Sequence, residues 1–153
     1  MIFLQTNSWS EQFVVKEFIS KVGGSIKLTE NWTIKQDTGE NWTLQQSDGH
    51  IALNIYTFKK EEKELSELQK KALKSYEELN FSFKDSKWEN CSHDTFKGSF
   101  IEGIDLKNKK ERWMLFVAQG KKADNYILVK LSKLSYKLNK KIIIKFIQTY
   151  KSP

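Results

Sequence analysis

The sequence has little cysteine, little proline and almost no arginine, and each shortage excludes a class of protein. With one cysteine among 153 residues, Cys91 has no partner for a disulfide within the chain, which fits a reducing compartment and predicts a cytoplasmic protein. A single proline, beside 39% hydrophobic and 13% aromatic residues, indicates a folded globule and not a disordered or low-complexity chain. We therefore expect a single folded domain over residues 1–153.

Long apolar runs are missing as well. No stretch reaches the roughly 18 apolar residues that a membrane-spanning helix requires. Residues 1–9 lack the basic start and the apolar centre of a signal peptide. The sequence therefore predicts neither a membrane span nor a cleaved leader.

Positive charge, by contrast, is abundant and uneven. The net charge is +7, yet residues 107–153 hold thirteen basic residues against only Glu111 and Asp124. A basic segment suggests an anionic partner, although lysines between apolar residues are also what solvent-facing strands and helices require. Arg112 is the sole arginine, and bidentate recognition of phosphate or guanine favours arginine. Nucleic acid is therefore not an expected partner, while association of this lysine-rich segment with another anion stays open.

Residues 30–58 predict a series of short strands. Two pentads of the form Glu-Asn-Trp-Thr-Ile/Leu begin ten residues apart, with a turn-forming Asp-Thr-Gly between them. After the Asp-Gly turn at residues 48–49, Ile51, Leu53 and Ile55 alternate with other residues, as in a strand with one buried face. The simplest interpretation of residues 30–58 is three consecutive antiparallel strands. Further strands are predicted at residues 12–20, 25–34, 96–106, 112–118 and 126–132. Residues 80–94 are predicted to form a loop or an edge strand.

Two segments have helical periodicity. In the first, over about residues 62–79, apolar residues recur at steps of three and four, at Leu65, Leu68, Ala72, Tyr76 and Leu79. The second, residues 138–150, is ambiguous, because three consecutive isoleucines favour a strand while apolar residues four apart favour a helix. Its length favours the helix. Together these patterns predict an α+β fold, in which an antiparallel sheet of about six to eight strands is flanked by a central helix and a C-terminal helix.

One local cluster of residues invites a chemical interpretation. Cys91, His93 and Asp94 could supply a nucleophile and a base, or part of a metal site. The only other histidine, His50, lies at a predicted turn, and a complete site needs several convergent groups. We therefore expect no catalytic residue, metal or cofactor here, and interpret Cys91 as a small buried or half-exposed residue beside a surface histidine. An enzyme or small-ligand protein with its site at this cluster is the alternative.

Two tryptophans are candidates for contact with a partner protein. Trp42 and Trp88 lie near predicted turns, where an aromatic side chain can stay exposed and anchor an interface. The alternative is that both belong to the core, because tryptophan is highly buried on average.

The order of these elements resembles the PsbP-like fold, which is shared with the Mog-type Ran-binding proteins and with bacterial families of unknown function. The resemblance rests on an early strand that reaches a Trp at residues 26–32 and a strand at 49–56 that leads into a helix. It continues in a Tyr-starting strand at 126–131 and a closing helix that ends in Phe-Ile-Gln-Thr-Tyr at 146–150. Where many relatives have a proline before the Trp, this chain has Thr-Glu-Asn.

The resemblance implies an antiparallel sheet flanked by helices and a role without catalysis. Relatives with known roles are photosystem subunits, partners of a small GTPase and adaptors for secreted effectors. No functional residue is carried over, because no binding motif matches position by position, and fold by itself is a weak warrant for function. The expected function is thus a non-catalytic binding or adaptor domain whose partner is another protein.

Overall fold

The computed structural model describes residues 14–61, 64–132 and 136–153, apart from the side chains of residues 137 and 138. In order along the chain, the elements are β1 (Val15–Ile19), β2 (Ser25–Thr29), β3 (Trp32–Asp37), β4 (Asn41–Gln46), β5 (Ile51–Lys59), α1 (Leu65–Glu77), β6 (Phe81–Ser82), β7 (Glu89–Asn90), β8 (Lys97–Asp105), β9 (Asn108–Gln119), β10 (Ala123–Ser132) and α2 (Tyr136–Ile147).

Eight of these strands form one antiparallel sheet. Its order is β3-β4-β5-β10-β9-β8-β6, and β7 also pairs with β8. Strands β1 and β2 form a separate antiparallel ribbon. The expected α+β class, with a sheet of six to eight antiparallel strands and two helices, is confirmed.

The sheet has a buried core on each face. On the first face, α2 and the β1–β2 ribbon cover a cluster that includes Phe116 and Ile127. On the second face, α1 covers a cluster that includes Leu115 and Leu128. Neighbouring residues of β9 and β10 thus enter opposite cores, which is why residues 112–118 are apolar at both parities. This confirms the prediction of a central strand that is covered on both sides.

The strands of residues 30–58 follow the predicted hairpins, with one local difference. Predicted strand 25–34 is divided in two, since β2 ends at Thr29 and β3 begins at Trp32 after a turn. Ile34, expected to face inward with Trp32, is 45% exposed. Ile34 still stands opposite Leu44 in the regular register that begins at Trp32, and the bulge comes after it, between Ile34 and Gln36. Ile34 is exposed because β3 is the outermost strand of the sheet, with a neighbour on one side only among the described strands.

Both predicted helices are present, with shorter or shifted bounds. Helix α1 buries Leu68, Ala72 and Tyr76 on one stripe, as the periodicity predicts, and ends before Leu79. Helix α2 begins at Tyr136 and ends at Ile147, where residues 138–150 were expected. The chain after α2 returns to the ribbon, because Lys151 forms a β-bridge with Ser25.

Candidate functional site

The structure separates the members of the Cys91 cluster. The Cys91 side chain is 5% exposed and belongs to the core on the α2 face. His93 and Asp94 are exposed and pair with each other, with 3.3 Å between Nε2 and Oδ2. Burial raises the pKa of the Cys91 thiol to about 12, so the thiol stays protonated and is a poor nucleophile at neutral pH. A thiol that faces the core and an imidazole that faces solvent do not form a nucleophile and base.

Metal ligation gains no support from the side chains in the described ranges. Among those residues, no group of three or more His, Cys, Asp or Glu side chains is placed to hold a metal ion.

The two candidate tryptophans occupy different environments. Trp42 is 2% exposed and lies in the core on the α2 face, because it shares the parity of Leu44 on β4. The structure therefore places Trp42 in the core and removes it as a surface anchor. Trp88 is half-buried and packs against the core on the α1 face. It remains a predicted contact.

Lysines of the final third spread over several surfaces. Lys140 pairs with Glu102 at 3.0 Å, and Lys130 pairs with Glu111 at 3.4 Å. Each of these two lysines forms an ion pair with a residue of another element. This agrees with the interpretation that many lysines of this segment lie on solvent-facing sides of strands and helices. Lys121 and Lys122 instead border a cleft.

A groove lined by aromatic rings opens on the α1 face of the sheet. We call it the aromatic groove and define it by Tyr56, Tyr76, Leu79, Phe81, Trp113 and Tyr126, which line a volume of about 620 Å³ together with polar residues of β4 and β5. Tyr76 and Tyr126 are buried, whereas Tyr56, Phe81 and Trp113 are half-buried. Leu79 is 61% exposed at its edge.

The groove exists because α1 covers only part of the sheet face. The helix packs over β9 and β6, and Tyr76 near its C-terminal end forms one wall together with Leu79, which follows the helix. Residues of β4 and β5 on the same face remain half-buried, among them Thr43, Asn54 and Tyr56. The Asn54 side chain donates a hydrogen bond to Thr43 Oγ1 at 2.9 Å, so the opposite wall is polar and internally paired.

The rings of the groove are held against one another before any partner binds. Phe81 and Trp113 meet edge to face with 5.0 Å between ring centroids, and Tyr76 contacts Phe81 at 6.0 Å and Tyr126 at 5.9 Å. Burial, with the nearby Tyr126 and Tyr56, raises the pKa of Tyr76 above its usual value, so its hydroxyl is neutral. The rings therefore form a neutral surface in fixed positions, and Lys130, which also lines the groove, is paired with Glu111.

Sequence reasoning did not find this groove. Tyr56 lies at the outward parity of β5, and Trp113 lies in a segment that is apolar at both parities. An aromatic side chain at a solvent-facing strand position is the one signal that could have indicated it. The wall of the groove that α1 provides depends on how the helix crosses the sheet. The pattern of residues along the chain does not contain this information.

No helix in the described part of the chain is both long enough and apolar enough to cross a membrane. The sequence matches no protein-family model, and no curated protein is similar to it in sequence.

Solved structures, in contrast, are similar to this chain at low sequence identity. The PsbP protein (CyanoP) of the cyanobacterium Synechocystis superposes with a TM-score of 0.69 at 6% identity, over 91% of this chain and 92% of that one. A protein from Bacteroides thetaiotaomicron has a TM-score of 0.64 at 14% identity, over 90% of this chain and 48% of that one. The Ran-binding protein Mog1p of Saccharomyces cerevisiae has a TM-score of 0.60 at 12% identity, over 90% and 95%. The chain has the PsbP/Mog-like fold.

Proposed function

We propose that the chain is a non-catalytic protein-binding domain and that its partner docks in the aromatic groove. The observation that carries this proposal is the half-buried aromatic surface that α1 leaves open on the sheet. Protein interfaces are enriched in tryptophan and tyrosine at their centre and carry polar groups around it. The groove has this arrangement, with Phe81 and Trp113 beside the polar side chains of Thr43 and Asn54.

The rigidity of the groove supports the same role. Because Phe81, Trp113 and Tyr76 already pack against one another, their rotamers lose little freedom when a partner binds, and the cost of association falls. The expected partner segment presents an apolar side chain to these rings and hydrogen-bonding groups to β4 and β5. Trp88, which packs against the same core, is proposed as a second contact.

The structural comparison is consistent with such a role and identifies no partner. Mog1p is described as a Ran-binding protein, so this architecture can present a surface to another protein. At 12% identity the likeness concerns the fold alone. Cytoplasmic location is part of the proposal, and the free, buried thiol of Cys91 is compatible with it.

The test is a charge placed at the exposed edge of the groove. Leu79→Glu introduces a carboxylate at a side chain that is 61% exposed, and Ile19→Glu makes the same change at a side chain that is 60% exposed on the β1–β2 ribbon. The wild-type chain is used to isolate a partner from cells, and the affinity of each variant for the purified partner is then measured by calorimetry. We expect Leu79→Glu to weaken binding roughly 30-fold, because a docked partner would desolvate the new carboxylate beside the apolar rings.

Ile19→Glu should leave the affinity unchanged, because the ribbon lies on the other face of the sheet. Both variants should melt close to the wild type, since surface substitutions shift stability by about 0.5 kcal/mol or less. Equal affinity of wild type and Leu79→Glu, or equal losses in the two variants, would refute the groove as the docking site. Thr43→Lys, on the opposite wall, is a second variant that should behave as Leu79→Glu does.

A further inference from the structure

A second cleft lies where the C-terminal segment meets the end of β9, the start of β8 and the residue after β5. We call it the basic cavity and define it by five lysines around its opening, Lys60, Lys97, Lys121, Lys122 and Lys151. Its volume is about 810 Å³, and Phe96, Ala118 and Tyr150 form its inner surface. Among the described residues that line it, none is Asp or Glu.

The five lysines come from distant parts of the sequence. Lys121 and Lys122 form the turn between β9 and β10, Lys97 begins β8, and Lys60 follows β5. Lys151 is brought to the cavity by its β-bridge with Ser25, in which each backbone N–H donates to the other residue's carbonyl oxygen at 3.0 and 2.8 Å. The convergence of charge is therefore built by tertiary structure.

A buried polar network holds the C-terminal wall of the cavity in place. Asn125, which has no exposed surface, donates to Ser152 Oγ at 3.0 Å and accepts from the Tyr150 hydroxyl at 2.8 Å. Because both partners precede or follow Lys151 directly, this network fixes the segment that carries the lysine. The wall is thus preformed.

One of the five lysines has a carboxylate partner beneath the surface. Lys60 Nζ lies 3.3 Å from Oδ1 of Asp124, whose side chain is fully buried. This pair holds Lys60 at the edge of the cavity and balances part of its charge. The other four lysines form no ion pair with any carboxylate in the described ranges. Their side chains are exposed, and several positive charges around one cleft favour the approach of an external anion.

We propose that the basic cavity binds a small anion with two or more negative charges, carried by phosphate or carboxylate groups. Its volume lies within the roughly 300–1,000 Å³ of small-molecule sites. Its lysine ammonium groups can donate hydrogen bonds to phosphate or to carboxylate oxygens alike. The buried rings of Phe96 and Tyr150 provide an apolar surface for the rest of the ligand. This site is independent of the aromatic groove and of the proposed protein partner.

The experiment compares two double variants that remove the same charge. Lys121→Gln with Lys122→Gln alters the cavity, whereas Lys107→Gln with Lys110→Gln alters exposed lysines at the other end of β9. Pyrophosphate and citrate are titrated separately into each protein at low ionic strength, with calorimetry for affinity and backbone amide shifts for location. We expect wild type to bind at least one probe, with shifts at Gly120 and Ser152, and the cavity variant to bind it roughly fivefold more weakly.

The matched variant should bind as the wild type does. Binding of pyrophosphate alone indicates a phosphate-bearing ligand, and equal binding of citrate shows that carboxylates serve as well. Lys97→Gln with Lys151→Gln removes charge from the other side of the cavity and should weaken binding similarly. The proposal is overturned if neither probe binds, if both double variants lose affinity equally, or if a glutamate-rich peptide binds there while neither small anion does.

Discussion

Replacement of Asn125 by alanine tests how the C-terminal segment is fastened to the sheet. The amide Nδ2 donates to the Ala118 carbonyl oxygen at 3.2 Å and to Ser152 Oγ at 3.0 Å. Its Oδ1 accepts from the hydroxyls of Thr57 and Tyr150, each at 2.8 Å. One side chain thus satisfies groups on β5, on β9 and in the C-terminal segment.

The expected cost follows from the groups that lose their partner. An unsatisfied buried polar group costs about 1–3 kcal/mol. Ser152 Oγ keeps a weaker acceptor in the Ala123 carbonyl, at 3.4 Å, so the buried hydroxyl of Tyr150 contributes most of the loss and the half-buried hydroxyl of Thr57 contributes less. We expect Asn125→Ala to lower the free energy of unfolding by about 3 kcal/mol, which for a chain of this size lowers the melting temperature by about 10 °C.

Urea denaturation and thermal melting measure this loss, and a double-mutant cycle assigns it. Tyr150→Phe removes one donor to Asn125, so it should destabilise the wild type by about 1 kcal/mol and the Asn125→Ala variant by much less. Asn54→Ala, which removes a single half-buried hydrogen bond, is the control and should cost about 1 kcal/mol or less. A loss below about 1 kcal/mol for Asn125→Ala, or equal effects of Tyr150→Phe in both backgrounds, would refute the reasoning.

Two further predictions concern buried positions. Burial raises the pKa of Cys91 from 9.0 to about 12, so above pH 9 the unfolded chain releases this proton first, and stability should fall by about 1.4 kcal/mol per pH unit until the folded thiol also ionises. Urea titrations between pH 7 and 10 should show that Cys91→Ala has a smaller fall than the wild type; identical slopes would contradict this. Gly98→Ala would place its Cβ against the Val117 carbonyl oxygen, a backbone atom that cannot move alone. It should cost about 1–3 kcal/mol in thermal melting, and an unchanged melting temperature would show that the strands can separate locally.

Local patterns were sufficient for most of the fold. Ile51, Leu53 and Ile55 alternate and all three are buried, because a strand with one core face needs a period of two. The stripe of Leu68, Ala72 and Tyr76 is buried on α1 for the equivalent reason at a period of 3.6. In each of these elements, the period of the apolar residues is enough to predict which face is buried.

Local patterns did not predict burial where it depends on the place of a strand in the sheet or on the elements that cover the sheet. Ile34 has the apolar character of a core residue and is exposed because β3 is the outermost strand of the sheet. Trp42 lies close to a turn, yet it is buried because its face of β4, shared with Leu44, packs into the core that α2 and the ribbon cover. Neither the position of β3 at the edge of the sheet nor the layer that covers β4 is encoded by the residues next to these positions alone.

Composition and periodicity by themselves determined an α+β chain with a largely antiparallel sheet and two amphipathic helices. They also determined an excess of lysine, without saying whether it was dispersed or gathered. Tertiary structure alone decided that α1 leaves an aromatic groove open and that Lys60, Lys97 and Lys151 meet the lysines of the β9–β10 turn. The physical reason is that periodicity records which side of an element is buried, whereas a site depends on which distant elements the packing of that buried side brings together.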